Sequence, residues 1–271
     1  MDKRNKLNCL EGKEWIQETK SIWYQKGLGS SHPHAQIEKQ HPAPFSFQDI
    51  SRLINFFTKP DQLVLDPFVG VASTLKACAL LERKGIGIEL SEKWRNLGLE
   101  RLKIEVNEES LQTQDILLGD CREILQTFPD NHFDFIVTSP PYWNILSKKA
   151  DHKVKQERLA NNLATKYSDN VLDIGNLPSY KEFLDELVKI FFMCNRVLKL
   201  NKYIAIVVSD FRHQSNFIPF HSDLVSSLSN IFKLQGIKVL AQNSKKLYPY
   251  GYPFAYVENI HHQYILILKK V

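Results

Sequence analysis

Apolar positions along the chain follow two rhythms. Short runs rich in β-branched and aliphatic residues occupy 62–66 (QLVLD), 85–90 (GIGIEL), 115–120 (DILLGD), 133–138 (FDFIVT) and 202–210 (KYIAIVVSD). Each has the length and composition of a buried strand. Between them lie helical stretches over 73–82, 92–103 (capped by Ser91), 121–128 and 180–198 (capped by Ser179). A further helix is predicted from Pro219 to about Leu234, since proline suits a first helical turn. Strict alternation of strand and helix predicts a mostly parallel sheet covered on both faces. Two late runs, 236–242 (GIKVLAQ) and 262–270 (HQYILILKK), have no helix between them, which predicts an antiparallel hairpin at one edge and seven strands in all. Upstream, 12–26 reads as a short helix, 27–36 as an irregular loop and 41–47 (HPAPFSF) as extended chain. Residues 48–57 form an amphipathic helix with Ile50, Leu53, Ile54 and Phe57 as its stripe.

Composition narrows the class without naming a chemistry. Of 271 residues, 43% are hydrophobic and 24% charged, so the chain can build a core and is not of the disordered type. A net charge of +5 permits a polyanionic partner without requiring one. The four cysteines (Cys9, Cys78, Cys121, Cys194) lack zinc or redox spacing, so no metal is expected and a reducing, cytoplasmic location is. The first fifteen residues lack the apolar core of a secretory signal, and no apolar run is long enough for a bilayer.

Candidate chemistry concentrates at strand ends, where open α/β sheets bind ligands. The strand at 133–138 runs into Ser139-Pro140-Pro141-Tyr142, a turn stiffened by two prolines. It displays a hydroxyl, a carbonyl and flat rings, a set able to hold and stack a planar group. LVLDPFVGVAST (63–74) is a strand, turn and helix with Asp66 at the strand end and Gly70 in the turn. It is neither the dinucleotide fingerprint nor a phosphate loop, so a ligand without phosphate is favoured. The next strand ends near Glu89, placed to accept both hydroxyls of a ribose, and the third ends at Asp120, a candidate acceptor for an adenine amino group.

Together, DPFVGVAST and TSPPYWN resemble the amino-methyltransferases of DNA, which move a methyl group from S-adenosylmethionine to an exocyclic base nitrogen. The family's first motif carries a second glycine where this chain has Ala72, and HPAPF (41–45) resembles its other cofactor motif. The resemblance implies a single Rossmann-like class I methyltransferase domain over 1–271, with an N-terminal extension at 1–60 carrying HPAPF. It implies a donor site built from His41, Pro42, Ala43, Phe45, Asp66, Pro67, Phe68, Gly70, Ser73, Thr74, Glu89, Leu90, Asp120 and Cys121. Ser139, Pro140, Pro141 and Tyr142 would form the catalytic turn. S-P-P-Y is more typical of members making N4-methylcytosine, whereas D-P-P-Y or N-P-P-Y marks those acting on adenine N6. The expectation is therefore cytosine N4 methylation of duplex DNA with base flipping, and adenine N6 is the rival. A fold-retaining but inactive DNA-binding subunit, or methylation of RNA or a protein amide, are the more distant readings.

DNA contacts are expected from two segments, 143–178 and 243–262. The first offers Trp143, Lys148 and Lys149; the second offers Lys245, Lys246, Tyr250 and Tyr252 in an alternating aromatic run. Double-stranded DNA is the expected partner, with a second copy of the chain or a cognate restriction endonuclease as further candidates, and no membrane.

Overall fold

The computed structural model describes residues 4–26, 32, 34–38, 40–41, 46–143 and 170–271. In chain order the elements begin with α1 (Gly12–Glu18), β1 (Ile22–Tyr24), α2 (Ala35–Glu38) and α3 (Phe47–Phe57). The alternating part follows: β2 (Leu63–Asp66), α4 (Ser73–Leu80), β3 (Lys84–Glu89), α5 (Glu92–Glu105), α6 (Glu108–Leu111), β4 (Gln114–Leu118), α7 (Cys121–Thr127) and β5 (Phe133–Thr138). The remainder comprises α8 (Tyr180–Val197), β6 (Leu198–Val208), β7 (Phe211–His213), β8 (Asn216–Ile218), α9 (Phe220–Leu228), β9 (Lys233–Ala241) and β10 (His262–Lys269).

One sheet organises the molecule, in the order β1-β9-β10-β6-β5-β2-β3-β4. All its neighbours pair in parallel except β10, which is antiparallel to both β6 and β9. The expected antiparallel pair is therefore present, but it is not the sheet's edge. An eighth strand, β1, pairs outside β9, within the stretch expected to be helical. Helix α1 stops at Glu18 because the following Ile22–Tyr24 segment buries Trp23 against the sheet instead of continuing a helical stripe. The helix after Pro219 also ends early, at Leu228, and residues expected to prolong it enter β9.

Side chains of the central strands alternate between two apolar layers, as the pleat requires. Ile204, Ile206 and Val208 join Phe183, Leu187, Phe191 and Leu224 from α8 and α9 on one face. Ala205 and Val207 join Val137 and Phe135 with Ile50, Leu53 and Ile54 of α3 on the other. Both layers are apolar and buried, which fixes the register of β5 and β6 and so the height at which their tips end. Strand order reverses direction of travel between β2 and β5, and that switch point is where a crevice opens above the sheet.

Candidate active site

The crevice is bounded on one side by the β2–α4 turn. Asp66 is fully buried and does not face the opening; its oxygens accept from the Thr138 hydroxyl at 2.6 Å, the Phe68 N–H at 3.0 Å and the Thr74 hydroxyl. Asp66 and Thr74, both expected to contact a ligand, here bond each other. The carboxylate already has its partners, and its work is to tie β2, β5 and the turn together. Burial pushes its pKa up to about 6 despite those donors.

Glu89, at the tip of β3, does line the crevice. One oxygen takes the Gly70 N–H at 3.0 Å and the other takes the Ser91 N–H at 2.8 Å. Each oxygen keeps a lone pair, so the carboxylate is oriented yet unsaturated. Burial pushes its pKa up to about 7. Gly70 has φ +53°, and a side chain there would press on His41, its added carbon 3.3 Å from the His41 Nε2. Glycine thus serves both the left-handed backbone and the approach of His41. The His41 ring meets Trp94 edge-on at 4.9 Å, and both line the crevice.

Pro67, Phe68, Gly70, Ser73, Leu90, Asp120 and Cys121 also line it. Asp120 caps α7 by accepting the Arg122 N–H at 2.8 Å, and its carboxylate is gripped by the Arg122 guanidinium. Arg122 also pairs with Glu186 at 3.2 Å, so its charge is matched on both sides. Burial pushes the Cys121 thiol up to about 12, which favours its neutral form. Pro42, Ala43 and Phe45 lie outside the described residues.

The opposite wall carries Ser139 and Pro141 from the turn after β5; Pro140 is buried beneath them. Tyr142 is half-buried, its ring 6.3 Å from Phe220. Ser139, Ser209 and Gln263 surround its hydroxyl, but no hydrogen bond of ordinary geometry reaches it. Burial pushes the phenol up to about 12.

Trp143 is corrected from DNA contact to core. Its ring is 7% exposed, its indole N–H donates to the Leu177 carbonyl at 2.8 Å, and His213 and Tyr180 pack on it. A large ring directly after a buried strand finds more apolar surface inward than outward. Lys148 and Lys149 lie outside the described residues. Lys245, Lys246, Tyr250 and Tyr252 all sit in the exposed loop between β9 and β10. Lys245 donates to the Ile260 carbonyl at 2.8 Å, and Asn259 bonds both backbone groups of Tyr248, pinching the loop at its base.

Several wall residues carry no sequence signal. Asp173 and Ile174 come from the segment after the polar insertion, and Trp94 from the first turn of α5. A tryptophan one turn into a helix that follows a strand tip is a readable hint for the last; nothing local marks the other two. Enclosed by these walls is about 900 Å³, counting space open to solvent. Among the described residues there is no group of His, Cys, Asp and Glu fit to hold a metal ion, and no helix is long and apolar enough to cross a membrane.

The family model described as DNA methylase matches residues 1–99, which include His41, the β2–α4 turn and Glu89. Among curated proteins, the chain is similar to the orphan methyltransferase M.BamHII of Bacillus amyloliquefaciens, 35% identical over 86 residues, or 31% of each chain. It is also similar to the tRNA (guanine(10)-N2)-dimethyltransferase of Pyrococcus abyssi, 30% identical over 93 residues, covering 34% of this chain and 27% of that one. The matched segments thus span less than a third of either relative's length. Of solved structures, that of TrmN from Thermus thermophilus superposes with a TM-score of 0.51 at 17% identity, covering 89% of this chain and 53% of that one. In fold this chain is Rossmann-like, similar to that of TrmN, and over residues 1–99 its sequence matches the DNA methylase family model.

Proposed function

We propose that this chain transfers the methyl group of S-adenosylmethionine to an exocyclic amine in duplex DNA, with N4 of cytosine as the acceptor. One observation carries the reading: Ser139 and Pro141 face into the same crevice as Gly70 and Glu89. An amine held beside Ser139 and a donor held at Gly70 and Glu89 would share a single cavity.

The donor side fits the cofactor chemically. Glu89 has oriented, unsaturated oxygens suited to two ribose hydroxyls, while Phe68, Ile88, Leu90 and Ile174 supply apolar walls. The cation on the wall, Arg122, is neutralised by Asp120 and Glu186, so the site favours a nucleoside over a phosphate. When bound, S-adenosylmethionine supplies a methyl carbon made electrophilic by its cationic sulfur.

On the acceptor side, the amine's lone pair is delocalised into the base ring. Donating its two N–H groups to the Ser139 hydroxyl oxygen and the Pro140 carbonyl would make the nitrogen more tetrahedral and more nucleophilic. Its lone pair would then form the bond to the methyl carbon as the carbon–sulfur bond broke, that bond's electron pair staying with sulfur. The proton leaves the nitrogen afterwards, because serine is too weak a base to remove it first. Positioning supplies much of the rate. Tyr142 offers the ring that stacks on the base, and extruding that base from the duplex costs about a few kcal/mol.

A second reading is favoured by the likeness to a tRNA guanine-N2 dimethyltransferase: the same turn would grip an exocyclic amine in RNA. Labelled S-adenosylmethionine incubated with the chain and either duplex DNA or tRNA, followed by digestion to nucleosides, separates the two. N4-methyldeoxycytidine is expected. N6-methyldeoxyadenosine would change the base, label confined to tRNA would change the acceptor, and donor binding without any transfer would overturn the enzyme reading.

A further inference from the structure

Among the described residues, the largest fully buried side chain is a cation that the proposed chemistry does not use. Arg101, on α5, is 0% exposed and makes four hydrogen bonds. Its Nη1 donates to the Val71 carbonyl at 3.1 Å and the Ser73 hydroxyl at 2.9 Å. Its Nε donates to Glu105 at 3.1 Å, and its Nη2 pairs with Glu38 of α2 at 2.6 Å. Lys76 of α4 meets the same Glu105 oxygen at 2.6 Å. Two cations face two carboxylates, so the buried cluster is neutral as a whole. His34, also in contact with Lys76, has its pKa lowered, mainly by burial.

The residue between the two Arg101 contacts is the unusual one. Ala72 sits in the left-handed region, φ 64° and ψ 30°, and is fully buried. An alanine there is strained by about 1 kcal/mol or more and persists only where its surroundings enforce it. Arg101 holds the carbonyl before Ala72 and the side chain after it. One turn earlier on α5, Gly98 lets the helix come close: a side chain at Gly98 would lie 3.3 Å from the Ala72 Cβ. The same guanidinium reaches Glu38, and the Glu38 carbonyl in turn accepts the His41 N–H at 3.2 Å. His41 and the 67–73 turn are adjoining walls of the crevice.

We infer that Arg101 is a positioning residue for methyl-donor binding: it enforces the left-handed turn at Ala72 and fastens the His41 wall to that turn through Glu38. This rests on the donor site proposed above. A lysine could not substitute, because one ammonium cannot reach partners spread over a planar fork. The clamp also gives a reason why alanine is tolerated at a position where glycine would adopt the conformation freely.

Calorimetric binding of S-adenosylhomocysteine tests the inference in six proteins: wild type, Glu38→Gln, Arg101→Met, Ala72→Gly and the two double variants with Ala72→Gly. Arg101→Met is expected to weaken binding by about tenfold or more, and Glu38→Gln by about three- to tenfold. In the Ala72→Gly background the loss from Arg101→Met should shrink to less than half as many fold, because the turn no longer needs enforcing. Equal losses in both backgrounds, or Glu38→Gln binding like wild type, would overturn the clamp. If Arg101→Met does not fold, Glu38→Gln alone decides: weakened binding supports the clamp, and binding like wild type overturns it. A wild-type chain that does not bind the probe instead overturns the donor site itself, so the two failures are told apart.

Discussion

Two aromatic regions at the same rim of the sheet behave in opposite ways. After β5, Trp143 turns inward, satisfied by Leu177 and covered by His213 and Tyr180. Between β9 and β10, Tyr252, Phe254 and Tyr256 are 80%, 93% and 85% exposed. Sequence composition makes the two segments look alike, as aromatic residues near lysines. Their difference shows that a ring's role at a strand tip is set by what lies beneath it. Under Trp143 is the apolar layer of α8; the β9–β10 loop is pinched at its base by Asn259 and Tyr248. Exposed rings in such numbers are uncommon on a soluble surface and suit contact with a flat partner such as a base.

The sharpest test of this contrast is Trp143→Ala, which should cost about 3–5 kcal/mol in urea unfolding, because it empties a packed site and orphans the Leu177 carbonyl. Stability close to wild type would return Trp143 to the surface. Next in size, Ser139→Ala should slow methyl transfer by about 10²-fold with donor affinity unchanged, since only the acceptor's alignment is lost. A drop in donor affinity of the same size would place Ser139 on the wrong side of the crevice.

A smaller effect is expected at Glu89. Glu89→Gln should weaken S-adenosylhomocysteine binding by about tenfold, measured by calorimetry at pH 8. Wild-type affinity should rise as pH increases through about 7, where the carboxylate forms, and the variant should be flat. Stability without ligand runs the other way. The folded-state pKa lies above the unfolded value, so the contribution of Glu89 is fully present below the unfolded pKa and is lost as pH rises through about 7. Wild type should therefore lose stability relative to Glu89→Gln across that window. The smallest effect belongs to Phe254→Ala: stability should stay within about 0.5 kcal/mol of wild type, as for other exposed sites. Its affinity for duplex DNA should fall by about fivefold, the low end of one stacking contact, read by fluorescence anisotropy.

Asp66 and Glu89 show how far strand-end acids can be read in advance. Both are acids at adjacent strand tips, and their presence there follows from alternation alone. Their division of labour does not. Asp66 meets Thr138 from a strand 72 residues away and is consumed as a fastening, whereas Glu89 meets only nearby N–H groups and stays open to a ligand. Likewise Ala72 is visible as a departure from a glycine pattern, but the guanidinium that enforces its conformation belongs to Arg101, which contacts residues 28 and 30 positions away on either side of Ala72.

By itself, then, the sequence determined the β-α alternation, the stiff Ser139–Tyr142 turn and the acids at the strand ends, because these depend on spacing and on local backbone rules. Only the tertiary structure decided that β1 completes the sheet beyond β9, that Trp143 is core, that Asp66 is spent on Thr138, and that Arg101 stands behind both walls of the crevice. Each of those outcomes depends on a partner far away in the chain, and a single burial site or hydrogen bond between distant segments leaves no periodic trace in either one.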